Sequence, residues 1–110
     1  MEQTKKDFPY FPVLDELREL NVGYGIVAKS VWGERLMTVI VDLPAGIEVP
    51  NHHHPHEQMG YIISGEIEFN IGEEIKICRA GDIYFVPSNV IHAVKVMADG
   101  PVRLMESNNP

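Results

Sequence analysis

Residues 66–79 read EIEFNIGEEIKICR. Ile67, Phe69 and Ile71 alternate with Glu66, Glu68 and Asn70, setting an apolar face against a polar one. Alternation with period two marks a strand that rests one face on a core and turns the other to water. Beyond Gly72 the run continues, and Ile75 and Ile77 are expected to face inward as well. Gly-containing breaks recur along the chain: Pro44-Ala45-Gly46, Ser64-Gly65-Glu66, Gly72-Glu73-Glu74, Ala80-Gly81-Asp82 and Asp99-Gly100-Pro101. Between them lie segments of about five to eight residues, the ordinary length of a strand. YGIVAKS (24–30) and ERLMTVIVDL (34–43) are rich in β-branched residues, which suit a pleated, half-buried surface. The expectation is an all-β sandwich or barrel.

Composition narrows the partners. The chain has 110 residues, 9 Lys plus Arg against 16 Asp plus Glu, and a formal charge of -7. That balance disfavours nucleic acid and anionic membranes, which reward clustered cations. No apolar run approaches the ~20 residues of a membrane helix. The start, MEQTKKDFPYFP, has no long apolar stretch and does not read as a secretory signal. The single cysteine, Cys78, excludes an intrachain disulfide and thiolate zinc motifs, so a reducing, cytoplasmic setting is the simplest fit. Its expected role is small packing residue. Residues 1–7 are polar and expected to fray. Pro9 and Pro12 keep the next stretch extended, and Leu14, Leu17 and Leu20 have helical spacing for a short helix or a turn.

Four of the five histidines fall within residues 52–56. If this segment is a strand, His52 and His54 share a face, and two imidazoles one pleat apart can converge on a metal ion. His53 then faces away, and His53 and His56 are expected to be solvent-facing or to support the site from behind. Gln58 opens the next strand-like run, QMGYIIS, and its carbonyl oxygen is a candidate third ligand; the Glu57 carboxylate is the rival. His92, far along the chain, is the candidate distant ligand.

These residues carry a resemblance. Gly46-x5-His52-x-His54-x3-Gln58-x6-Gly65 resembles the first cupin motif, and Gly81-x5-Pro87-x-Asn89-x2-His92 resembles the second. The resemblance covers residues 46–96 and includes both motifs in order. The 15 residues between Gly65 and Gly81 are typical of small single-domain members, the cupin type 2, RmlC-like group. In three places the chain departs from the pattern: Gln58 where Glu is commoner, Asn89 for a glycine, and Val96 for an asparagine. Asparagine tolerates positive φ, so the turn at 89 can survive.

The resemblance implies a cupin-type double-stranded β-helix, or jelly-roll barrel. It implies His52, His54, Gln58 and His92 as ligands of one divalent transition metal per chain, with Zn, Ni, Fe, Mn, Co and Cu all open. It also implies a homodimer. Residues 24–110 would form the barrel. Residues 1–23 would be an arm or short helix packing on the barrel or on a partner subunit.

Three imidazoles and a neutral amide leave such an ion its full charge, which favours Lewis-acid chemistry on a small oxygenated metabolite. The missing carboxylate ligand lowers the case for an oxygenase, and a non-catalytic metal- or ligand-binding role is the further alternative. HHHPHEQ (52–58) is similar to the segment in cupins that act on unsaturated sugar acids. Those carry an acidic residue, a phenylalanine and an arginine near the C-terminus. Glu106 is the acidic candidate here, while the phenylalanine and the later arginine are missing. Other acid–base candidates are Tyr84, Arg103 and Tyr61, the last set outward by alternation from Gln58. Met37, Met59, Met97 and Met105 are expected to pack the barrel, and Trp32 to pack near a turn.

Overall fold

The computed structural model describes residues 8–109; the segment expected to fray, 1–7, lies outside them. Ten strands follow a single 3-10 turn at Leu14–Glu16: β1 (Leu20–Asn21), β2 (Val27–Trp32), β3 (Met37–Leu43), β4 (Glu48–His52), β5 (Gln58–Ser64), β6 (Glu66–Ile71), β7 (Glu74–Arg79), β8 (Ile83–Val86), β9 (His92–Val96) and β10 (Val102–Asn108). They form a six-stranded sheet, β1-β2-β3-β10-β5-β8, and a four-stranded sheet, β4-β9-β6-β7. Every pairing is antiparallel. This is a jelly roll, as the motif resemblance implied.

The inner faces of the two sheets meet in a core built on Ile62, Ile67, Phe69, Val86, Val96, Val102 and Leu104. Val96, where the cupin pattern has asparagine, is buried opposite Ile67. Its side chain serves packing.

The hairpin at 66–79 corrects one expectation. Ile67, Phe69 and Ile71 do turn toward the core side, but Ile75 is 66% exposed and Ile77 also faces out. The connecting turn has two residues, Gly72 at φ +61° and Glu73. A two-residue turn pairs Ile71 with Glu74, so the inward set continues through Lys76 to Cys78. Cys78 is therefore the buried packing residue of β7. Its burial pushes the thiol pKa up.

Other apolar residues also lie outside. Met59, Tyr61, Ile63, Ile83, Phe85 and Met105 form exposed rows on the outer face of β10-β5-β8. Met59 and Met105 thus do not pack the barrel interior as expected; their strand parity puts them on the opposite face from Gly60, Ile62 and Leu104. Tyr61 points out, as alternation required. Trp32 ends β2 beside a turn and meets Phe8 edge-on, with ring centroids 4.7 Å apart.

Candidate metal centre

His52 is the last residue of β4 and His92 the first of β9. They are direct cross-strand partners, with ring centroids 4.1 Å apart. His54 does not share a strand with His52 as the spacing suggested. The strand ends at His52, and His54 sits in the loop that follows. Its carbonyl accepts a 2.7 Å hydrogen bond from the Asn89 backbone N–H, which ties the loop to the turn before β9. Asn89 adopts φ +64°, the left-handed conformation that the motif requires there. The loop brings the His54 ring to 4.9 Å from that of His92. One ligand atom from each of His52, His54 and His92 then lies within 4.8 Å of the others.

The hydrogen bonds fix which nitrogen is offered. Nδ1 of His52 bonds the Pro50 carbonyl at 3.0 Å, Nδ1 of His54 the His56 carbonyl at 3.0 Å, and Nδ1 of His92 the Val90 carbonyl at 2.8 Å. A carbonyl only accepts, so each Nδ1 carries the proton and each Nε2 keeps a lone pair. His92 is only 2% exposed, and its Nε2 is buried with no hydrogen-bond partner. An orphaned buried polar atom costs roughly 1–3 kcal/mol, and a divalent cation would satisfy it. Burial, the main cause, lowers the His92 pKa, which keeps the ring in the neutral form that metal ligation needs. The residues present therefore fit a metal ion. His53 and His56 are exposed and outside the cluster; His56 contributes through its backbone carbonyl alone.

Gln58, the first residue of β5, lines the same cavity as His52 and His92. Glu57 is exposed and lines a different hollow with Leu36 and Phe85, so the rival third ligand does not join the cluster. Gln58 Nε2 donates to Glu106 Oε1 at 3.0 Å. That orients the amide and leaves its carbonyl oxygen as the free acceptor.

Glu106 Oε1 also accepts from the Tyr84 hydroxyl, at 2.5 Å. Burial raises the Glu106 pKa, against opposing effects of the Tyr84 hydrogen bond and of His54 and His52. Burial, then the Glu106 charge and hydrogen bond, hold the Tyr84 phenol far above its usual range. Arg103 takes no part. It lies on the outer face in a bidentate pair with Asp42, Nε–Oδ1 at 2.7 Å and Nη2–Oδ2 at 3.0 Å.

Gly60 makes the Tyr84–Glu106 contact possible, a role that was not read from the sequence. It is the β5 residue paired with Glu106 on one side and with Tyr84 on the other. A Cβ there would collide with the Tyr84 ring, which crosses β5 over the bare glycine. Gly60→Ala is expected to push Tyr84 off Glu106 and cost about 1–3 kcal/mol by overpacking. Denaturant unfolding reads this, and an unchanged midpoint would contradict it.

The cupin-domain family model matches residues 39–108. The chain is a cupin. Among curated proteins this cupin is similar to the pectin degradation protein KdgF of Dickeya dadantii (strain 3937). The two are 34% identical over 98 residues, covering 87% of this chain and 88% of that one. Among solved structures, an RmlC-like cupin from Shewanella frigidimarina NCIMB 400 matches with TM-score 0.81 and 26% identity, covering 99% of this cupin and 95% of that chain. KdgF from Halomonas sp. matches with TM-score 0.79 and 25% identity, over 89% and 90% of the two chains.

Proposed function

We propose that this cupin is a metal-dependent enzyme acting on a small oxygenated metabolite of the sugar-acid, keto-acid or hydroxy-acid type, by isomerisation or lyase chemistry. The observation that carries the reading is the convergence of His52, His54 and His92, two of which, His52 and His92, line a cavity that also holds Gln58 and Glu106. His52, His54, His92 and the Gln58 carbonyl oxygen are the proposed ligands of one divalent ion per chain. When bound, that ion supplies Lewis-acid polarisation of a carbonyl or hydroxyl oxygen.

Glu106 is the proposed general acid–base. Both of its side-chain hydrogen bonds fall on Oε1, which leaves Oε2 to take or give a proton. Its raised pKa brings the carboxyl closer to the working range of such a group. Tyr84 does not line the cavity and acts by holding Glu106. The resemblance to KdgF, whose name places it in pectin degradation, supports a sugar-acid substrate. Oxygenase chemistry is disfavoured because no carboxylate joins the histidine cluster among the described residues.

A screen of sugar acids and of 2-hydroxy and 2-oxo acids tests the reading. Turnover that depends on added metal and on Glu106, without oxygen uptake, is expected. Stoichiometric oxygen consumption would favour the oxygenase, and binding without turnover the non-catalytic role.

The homodimer belongs to the same proposal. It is supported by the exposed apolar rows on β5, β8 and β10, and light scattering at twice the chain mass is the expected reading. A reducing, cytoplasmic setting fits the lone buried Cys78. Among the described residues, no helix is long and apolar enough to cross a membrane.

A further inference from the structure

The cavity beneath the histidines has a volume of about 300 Å³, at the lower end of the range for small-molecule pockets. Strand register orders its lining by depth. His52, His92, Gln58 and Glu106 form one level. Two residues further along β9 comes Val94, paired with Val49 across the irregularity in β4 and with Phe69 on β6. At the same depth Leu104 pairs with Val41, and Val41 with Ala28. Deeper still are Leu43, Ile26 and Ile67. Two residues of strand span about 7 Å, so the apolar section extends one to two such steps below the polar level. It contains no hydroxyl, amide, lysine or arginine.

We infer that the ligand is amphipathic: a 2-hydroxy or 2-oxo acid with an unbranched aliphatic body of about three to five carbons. This rests on the metal-centre reading and narrows it. The oxygen pair of the acid meets the histidine level and Glu106. The aliphatic body lies against Val41, Val94, Leu104 and Ala28. A hexuronate fits this lining badly. Its hydroxyls would face aliphatic walls, and each unpartnered buried hydroxyl costs roughly ten-fold in affinity.

The test titrates zinc-loaded full-length protein calorimetrically with lactate, 2-hydroxyhexanoate and gluconate. The last two share chain length and head group, and differ only in four hydroxyls on the body. 2-Hydroxyhexanoate is expected to bind roughly 50-fold more tightly than lactate, from three additional buried methylenes. It should also exceed gluconate by at least about ten-fold. Ala28→Leu, which fills the apolar section, should erase the gain of 2-hydroxyhexanoate over lactate. Zinc content is measured before and after each titration. A chain that takes up neither zinc nor any other divalent transition metal overturns the metal-centre reading itself. A zinc-loaded chain overturns this inference if it binds gluconate as tightly as 2-hydroxyhexanoate, shows no chain-length dependence, or binds none of the three.

Discussion

Replacing His92 by alanine is expected to weaken divalent-metal binding by at least about 100-fold, the upper end of what losing a supporting hydrogen bond does to a metal site. His92 is central to the cluster in three respects. It is the most buried of the three histidines. Its ring lies 4.1 Å from that of His52 and 4.9 Å from that of His54. Its Nε2 also has no other use, since the atom is buried and unpartnered. Truncation of a buried ring leaves a cavity as well, so His92→Ala alone would mix metal loss with loss of stability. His52→Ala separates the two. His52 is exposed at the end of β4, so its truncation should leave the metal-free fold near wild-type stability and still lose the metal. Calorimetric titration with Zn2+ reads both variants. Wild-type affinity in both would remove the site.

The second large effect concerns Gln58. Its amide donates to Glu106 Oε1 at 3.0 Å, so a carboxylate at 58 would face a carboxylate at 106. Two such groups in contact cannot both ionise cheaply. Gln58→Glu is therefore expected to destabilise the metal-free protein at pH 7 by about 2 kcal/mol, within the range of contacting pairs. It should still bind metal, and the added ligand charge should weaken the ion as a Lewis acid. The double variant Gln58→Glu/Glu106→Gln restores one donor facing one acceptor and should recover most of the loss. Urea unfolding of the two single variants and the double variant measures the coupling. A Gln58→Glu protein as stable as wild type, or a double variant no better than that single one, would show that the two side chains are not paired.

This pairing also gives a physical reason for glutamine at a position where the cupin pattern more often has glutamate. In the proposed site the carboxyl group stands beside residue 58 rather than at it, on Glu106, where Tyr84 and Gln58 both donate to it. Neither the pairing nor the Gly60 gap that admits Tyr84 can be read along one strand. Glu106, Gly60 and Tyr84 lie on β10, β5 and β8, and only the register of three strands puts them in a row.

The strands themselves were legible, because alternation and glycine breaks are local signals. The facing of β7 was not. Ile75 and Ile77 continue an apolar pattern by eye, yet a two-residue turn sets the opposite parity. His52, His54 and His92 do come together, but not in the way the spacing suggested. His52 and His54 converge because a hydrogen bond from Asn89 folds the loop back, not because they share a pleat. The aliphatic character of the cavity was likewise hidden, since its walls come from strands of both sheets.

The central claim is that His52, His54 and His92 hold a metal ion. Elemental analysis of untagged protein, purified without a metal-charged resin, tests it most directly. About one divalent transition metal per chain is expected in the wild type, and almost none in His52→Ala. A wild-type chain without metal, unable to take one up on titration, would contradict the account, as would a His52→Ala chain with wild-type metal content.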